Sequence, residues 1–145
     1  MDEAIAAEAD VVASEVGERD GKRFQRLRTA ARDGVAVAFY RRNDLTRGGE
    51  AALLAVVLDE VSPGAWQAVT ASPLHAGGSR RISMRPSERG DWIIAIYGSA
   101  PEGATGAVIE YKGVEHRVPV EDGVFGLMLR DASEPEPTLV RPRFE

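Results

Sequence analysis

The residues able to do chemistry are few and scattered. His75 and His116, the only histidines, stand far apart, and neither falls in a His-x-Glu or His-Glu-x-x-His pattern that would bring ligands onto one metal. The chain has no cysteine, which removes thiolate metal sites, cysteine nucleophiles and disulfides together. Asp59-Glu60 and Glu121-Asp122 are adjacent acids. A calcium loop needs several oxygens from one segment, however, and Glu121-Asp122-Gly123 reads as a turn. No metal and no cofactor are expected.

Proton transfer and nucleophilic attack find little support. His116 falls on the apolar face of an expected strand with no orienting carboxylate near it in sequence, so a partly buried structural imidazole is expected. Ser99 follows an apolar run, a position where nucleophiles occur. Yet there is no Gly-x-Ser-x-Gly elbow, and Ala100-Pro101-Glu102-Gly103 continues as a loop. Gly77-Gly78-Ser79 lacks the lysine of a phosphate loop. Acids suffice in number for a carboxylate-pair hydrolase, but the sequence singles out no pair. Arg89-Gly90-Asp91 spells an adhesion tripeptide and reads as a turn entering the Trp92 strand. Arg80-Arg81-Ile82-Ser83 has the form of a basic kinase site, one that recurs by chance.

The bulk properties bound the rest. A chain of 145 residues with 43% hydrophobic and 28% charged residues is one globular domain, long enough to withdraw roughly 68–70% of its unfolded surface from water. With 18 basic and 23 acidic residues the net charge is −5, which disfavours wholesale nucleic-acid binding. Lys22 and Lys112 are the only lysines, the arginine bias of a GC-rich, bacterial coding sequence. No apolar stretch approaches the ~18 residues of a membrane span. The start, Met-Asp-Glu-Ala-Ile, is acidic where a secretory leader is basic. A cytoplasmic protein and an exported domain whose leader has been removed both fit. Charge is blocky: residues 1–18 carry six acids and no base, and residues 19–47 carry nine bases and three acids. Such blocks are usually solvated faces. The sharper reading docks the acidic segment on the basic one, or the basic one on an anionic partner.

The elements that must position these residues are mostly strands. Asp91–Tyr97 is an apolar, β-branched and aromatic run closed by Gly98 and Pro101, as in a strand buried on both faces. Ala107–Tyr111, a Lys112-Gly113 turn, the alternation Val114, His116, Val118, Val120, a Glu121-Asp122-Gly123 turn and the alternation Phe125, Leu127, Leu129 predict a three-stranded meander. Val35–Tyr40, Ala51–Leu58, Trp66–Thr70 and Ile82–Arg85 are further strands. Glu50–Glu60 tolerates a helix, but Val56 and Val57 favour a strand. Ile5, Ala9, Val12 and Val16 recur at helical spacing, while Asp20-Gly21 is a hairpin signal joining Asp10–Val16 to Arg23–Thr29. A short helical or frayed start, over residues 1–9, followed by that hairpin is preferred. From Ala132 to Glu145, Pro135, Pro137 and Pro142 predict an extended tail.

The expectation is a mainly β chain: an antiparallel β-sandwich, immunoglobulin-like or similar, over residues 1–131, with a Pro-rich tail over 132–145. The expected role is non-enzymatic recognition of a partner, most naturally a protein, through loops such as Arg41–Gly49, Leu74–Arg81 and Pro101–Gly106. The candidate contact residues are Arg41, Arg42, Arg47, Trp66, Arg80 and Arg81. The alternatives are a hydrolase-type site built from loop carboxylates and His116, and a structural subunit that assembles with copies of itself through its tail. No motif ties the chain to a family.

Overall fold

The structure, a computed structural model, describes residues 2–21, 23–42, 53–135 and 141–145. The described residues form one helix, α1 (Asp2–Asp20), and ten strands: β1 (Phe24–Arg32), β2 (Val35–Arg42), β3 (Leu53–Ser62), β4 (Ala65–Leu74), β5 (Arg80–Pro86), β6 (Trp92–Ser99), β7 (Gly106–Tyr111), β8 (Val114–Pro119), β9 (Val124–Asp131) and β10 (Arg143–Phe144). Among the described residues all pairings are antiparallel, and no closed barrel forms.

Three sheets share the strands, in the orders β1-β2-β3-β4, β5-β6-β9 and β10-β7-β8. Their side chains explain the stacking. Every residue from Val35 to Tyr40 is buried, because β2 packs on both faces. Val35, Val37 and Phe39 meet Ile93, Ala95 and Tyr97 of β6, with the Phe39 and Tyr97 rings edge-on at 6.5 Å. On the other face Ala36 and Ala38 are small enough for α1 to lie close, and Ile5, Ala9 and Ala13 cover them. The middle sheet is likewise two-faced. Ile94, Ile96, Phe125, Leu127 and Leu129 point away from the first sheet and pack on Ala107, Ile109 and Tyr111 of β7. The sandwich-like layering therefore runs helix, four strands, three strands, three strands.

Two sequence expectations need correction. The Asp10–Val16 segment is helix rather than a strand, and α1 continues to Asp20. The apolar four-residue spacing holds throughout, and Gly21, at φ +66°, ends the helix in the left-handed conformation usual for a C-terminal glycine. The Asp20-Gly21 pair is thus a helix stop. The meander is also broken. β7 and β8 form a hairpin, but β9 pairs with β6 in the middle sheet. The Asp122-Gly123 turn does reverse the chain, with Glu121 bridging Val124, and it carries the chain from one sheet to the next.

The Glu50–Glu60 stretch is a strand from Leu53 onward. Pro73, Pro86 and Pro119 lie in β4, β5 and β8, each the edge of its sheet, where a missing N–H costs no ladder bond. Of the tail, residues 136–140 lie outside the described residues. Arg143–Phe144 pair with β7 of the same chain, and the Phe144 ring sits 5.5 Å from Phe125.

Candidate functional site

Most groups singled out for chemistry are held in structural contacts. Ser99 is 1% exposed. Its Oγ accepts from the amides of Gly78 (3.0 Å) and Ser79 (2.9 Å) and donates to the His75 carbonyl at 2.6 Å. A hydroxyl so engaged fastens the turn between β4 and β5 and has no proton free for a base. In the adhesion-like tripeptide, Arg89 pairs with Glu60 at 3.0 Å and Asp91 with Arg130 at 2.9 Å. Arg89-Gly90-Asp91 is a turn tied to two other segments.

His116 is partly buried on β8, opposite Ile109. Burial first, then the positive charge of Arg32, hold its pKa below the ordinary imidazole value. The charged group acting on it is a cation, where a general base would be oriented by a carboxylate. Among the described residues no cluster of three His, Asp or Glu side chains could hold a metal.

The acidic helix does dock on the arginine-rich strand. Asp10 of α1 accepts from Arg26 on β1 and from the Tyr40 hydroxyl, each at 2.6 Å. Burial, and then the bond to Asp10, push the Tyr40 pKa up, so the phenol stays neutral and donates. These groups line an open recess of ≈ 810 Å³ between α1 and β1, where the charges answer one another.

A second carboxylate gives a measurable pH effect. Asp131 accepts from Lys112 Nζ (2.7 Å), Tyr111 Oη (2.9 Å) and the Ser133 amide (3.0 Å). The Lys112 contact foremost, then the Ser133 amide, hold its pKa well below the ordinary carboxylate range. The unfolded chain therefore takes up this proton first as acid is added. The stability from Asp131 is complete above the ordinary aspartate pKa of ~3.9 and is withdrawn as pH falls from there toward the folded value. Urea midpoints measured from neutral pH downward should fall in the native chain below about pH 4, and the Asp131→Asn variant should lack that part of the slope.

The candidate contact residues have different fates. Arg41 and Arg42 end β2; Arg41 is exposed, and Arg42 is partly buried and engaged. Arg47, with most of the Arg41–Gly49 loop, lies outside the described residues. Trp66 lies in β4, where a strand was expected, and with Ala68 and Ala71 it packs against the cluster beneath α1. Arg80 and Arg81 begin β5, the exposed edge of the middle sheet.

Here the sequence register creates a site. Arg81, Ser83 and Arg85 stand opposite Tyr97, Ala95 and Ile93, so all three point toward the first sheet. Across the seam, Thr70 and Ser72 of β4 stand opposite Val57 and Ala55 and point back. Between β4 and β5 lies a groove of ≈ 430 Å³, lined by residues 81–86 in succession together with Thr70, Ser72 and Tyr97. It carries two guanidinium groups and no acidic side chain. Ser83 is 8% exposed and its buried Oγ has no hydrogen-bond partner.

The chain matches no family model, no curated protein and no solved structure. The site therefore stands on its own geometry. The sequence pointed to Arg81 but missed Arg85, Ser83, Thr70 and Ser72 as its companions. The alternation Arg81-x-Ser83-x-Arg85 was the available signal, since a strand there puts the three on one face.

Proposed function

We propose that this protein is a non-enzymatic binding module and that its partner is an acidic, extended polypeptide segment laid along β5. One observation carries the reading: Arg81 and Arg85, without ion partners among the described residues, flank the unpartnered hydroxyl of Ser83 along an open strand edge. An edge strand offers backbone N–H and C=O groups to an added strand. Arg81 and Arg85 are separated by about 13 Å at the ~3.3 Å rise of a strand, so they address carboxylates on one face of the incoming segment. Thr70, Ser72 and Ser83 supply neutral hydrogen bonds between them. Recognition thus moves from the loops to the seam between two sheets. The Leu74–Arg81 loop serves mainly as an anchor, because Ser99 holds it.

The test is a fluorescein-labelled ten-residue peptide alternating Glu and Val, titrated by anisotropy, with a Lys-Val peptide as control. The Glu-Val peptide should bind and weaken with added salt. Arg81→Glu/Arg85→Glu should lose at least about tenfold in affinity, since charge-assisted bonds contribute ~1.5–3 kcal/mol each. Amide shifts in the native protein should map to β4 and β5. Equal binding of both peptides, or full affinity in the double variant, would overturn the reading.

A further inference from the structure

β7 is the middle strand of its sheet only because a two-residue strand, β10, completes it. β10 lies antiparallel along β7, with Arg143 opposite Val108 and Phe144 opposite Ala107. Val108 in turn stands opposite Arg117 of β8, so Arg143, Glu145, Glu115 and Arg117 share the outer face of this sheet. Two ion pairs cross β7 there: Arg143 meets Glu115 at 3.2 Å, and Arg117 meets Glu145 at 2.7 Å. Phe144 points inward, edge-on to Phe125. We propose that the β7 edge is a dimerisation slot, which takes the Arg143-Phe144-Glu145 segment of a second copy in exchange for the chain's own.

Three observations support that exchange. First, the slot reads sequence. The β7–β8 hairpin is acidic at one end, where Glu110 and Glu115 stand directly opposite each other, and basic further along at Arg117. A strand entering in this direction is matched by a cation, an inward apolar residue and an acid in that order, as residues 143–145 supply. Every copy of the chain carries the same three residues, so what fits in cis fits in trans. Second, the docked strand is lightly held. Past its two residues, the Glu145 amide donates to the Gly106 carbonyl and the Thr105 amide to the Glu145 carbonyl, each at 2.9 Å. All four charged side chains are more than half exposed, and such pairs contribute little. Short, exposed segments of this kind open at far lower free energy than a core. Third, the arm has the reach. Lys112 Nζ anchors it by donating to Ser133 Oγ (3.0 Å) and to the Glu134 carbonyl (3.2 Å). From Glu134 to Arg143 the chain can extend up to ~30 Å, whereas Lys112 and Val108 stand about 13 Å apart along the strand. A two-fold dimer that exchanges both arms fills both slots with the contacts already present, and it closes on itself. The chain's own arm competes at the roughly millimolar effective concentration of a short tether, so exchange belongs to concentrated protein.

The experiment uses two variants of the full chain, followed by light scattering. One reverses the slot, Glu115→Arg/Arg117→Glu; the other reverses the tail, Arg143→Glu/Glu145→Arg. In each, the chain's own tail meets like charges across β7, while its tail matches the slot of the other variant. Mixed in equal amounts, the two should form a one-to-one dimer at least about tenfold more populated than the dimer of either alone. Phe144→Ala in both partners should abolish it. The native chain, which needs no substitution to be scored, should be monomeric at ~10 μM and show dimer near ~1 mM. Uniting all four charge reversals in one chain should restore that native behaviour. A mixture that stays monomeric, a heterodimer indifferent to Phe144→Ala, or a native chain wholly monomeric at ~1 mM would overturn the proposal. Failure here leaves the β5 reading intact, since that reading is scored with a peptide on a different sheet edge.

Discussion

Replacing Arg130 with alanine is expected to remove about 3–5 kcal/mol of folding stability, a large share of the ~5–15 kcal/mol typical of a domain. Arg130 leaves β9 and enters a pocket of acceptors drawn from three segments: the β1–β2 turn, β3 and the β5–β6 connection. Its Nε donates to the Asp33 carbonyl at 2.6 Å and its Nη2 to the Gly34 carbonyl at 2.8 Å, both in the β1–β2 turn. Nη2 also meets Asp59 Oδ1 at 2.5 Å, and Nη1 meets Asp91 Oδ1 at 2.9 Å. Ser87 donates to the second Asp59 oxygen at 2.8 Å. Arg130 is 12% exposed and Asp59 3%. The cluster bolts the first sheet to the middle one.

The cost comes from what is left behind. With alanine at position 130, Asp59 is a buried carboxylate that keeps the Ser87 hydroxyl but has lost its cation, which is the costly way to break a buried pair. The pair itself contributes less than its removal suggests, because both charges surrendered hydration to form it. Arg130→Met combined with Asp59→Leu should therefore lose markedly less than Arg130→Ala alone. Urea unfolding of both variants tests this. A loss below about 1 kcal/mol for Arg130→Ala would mean that water replaces the guanidinium, and that the clasp is a surface pair in energetic terms.

Gly98→Ala is the second substitution with a large expected effect. Gly98 is a strand residue of β6, opposite Arg80. A Cβ built there would stand 2.0 Å from the Ser79 carbonyl oxygen and 2.9 Å from Arg80 Cα. Both obstacles are backbone, so no rotamer change relieves the clash. The Ser79 carbonyl is moreover fixed by the Ser99 amide at 2.8 Å, and the same turn is fastened by Ser99 Oγ. A methyl group must push the turn out and break these bonds. The loss should reach or exceed the upper end of the ~1–3 kcal/mol usual for overpacking, read as a lowered urea midpoint. Residues 75–79 should also lose amide exchange protection. A cost near that of an ordinary surface change, within about 0.5 kcal/mol, would show that the turn yields freely.

How far the sequence foretold this structure depends on whether a signal was local. Strands β2 and β6 were plain because burial on both faces leaves an unbroken apolar run. The turns at Lys112-Gly113 and Asp122-Gly123 were equally plain. Pairing was less so. The alternation Phe125, Leu127, Leu129 marks one buried face, whereas Val124 and Met128 bury the other. A strand apolar on both sides belongs to an interior layer, while neighbouring β8 exposes Glu115 and Arg117. That contrast was visible in the residues and argues against placing the two strands side by side. The length of α1 was missed because Asp20-Gly21 serves a helix end and a hairpin equally well. The β4–β5 groove was half legible: its arginines stand in one strand, but Thr70 and Ser72 join them only through the stacking of two sheets.

The layering also sets a timetable for synthesis. The helix and first sheet come from one unbroken stretch ending at Leu74, whereas the sheet that covers their inner face is finished only at Asp131. At about 5–20 residues per second, translating that interval takes roughly 3–11 s. Throughout it Val35, Val37, Phe39 and Val57 form a wet apolar plane on the nascent chain. That exposed plane is an aggregation liability during those seconds, and slower elongation over residues 75–131 lengthens the exposure even though the finished fold is unchanged.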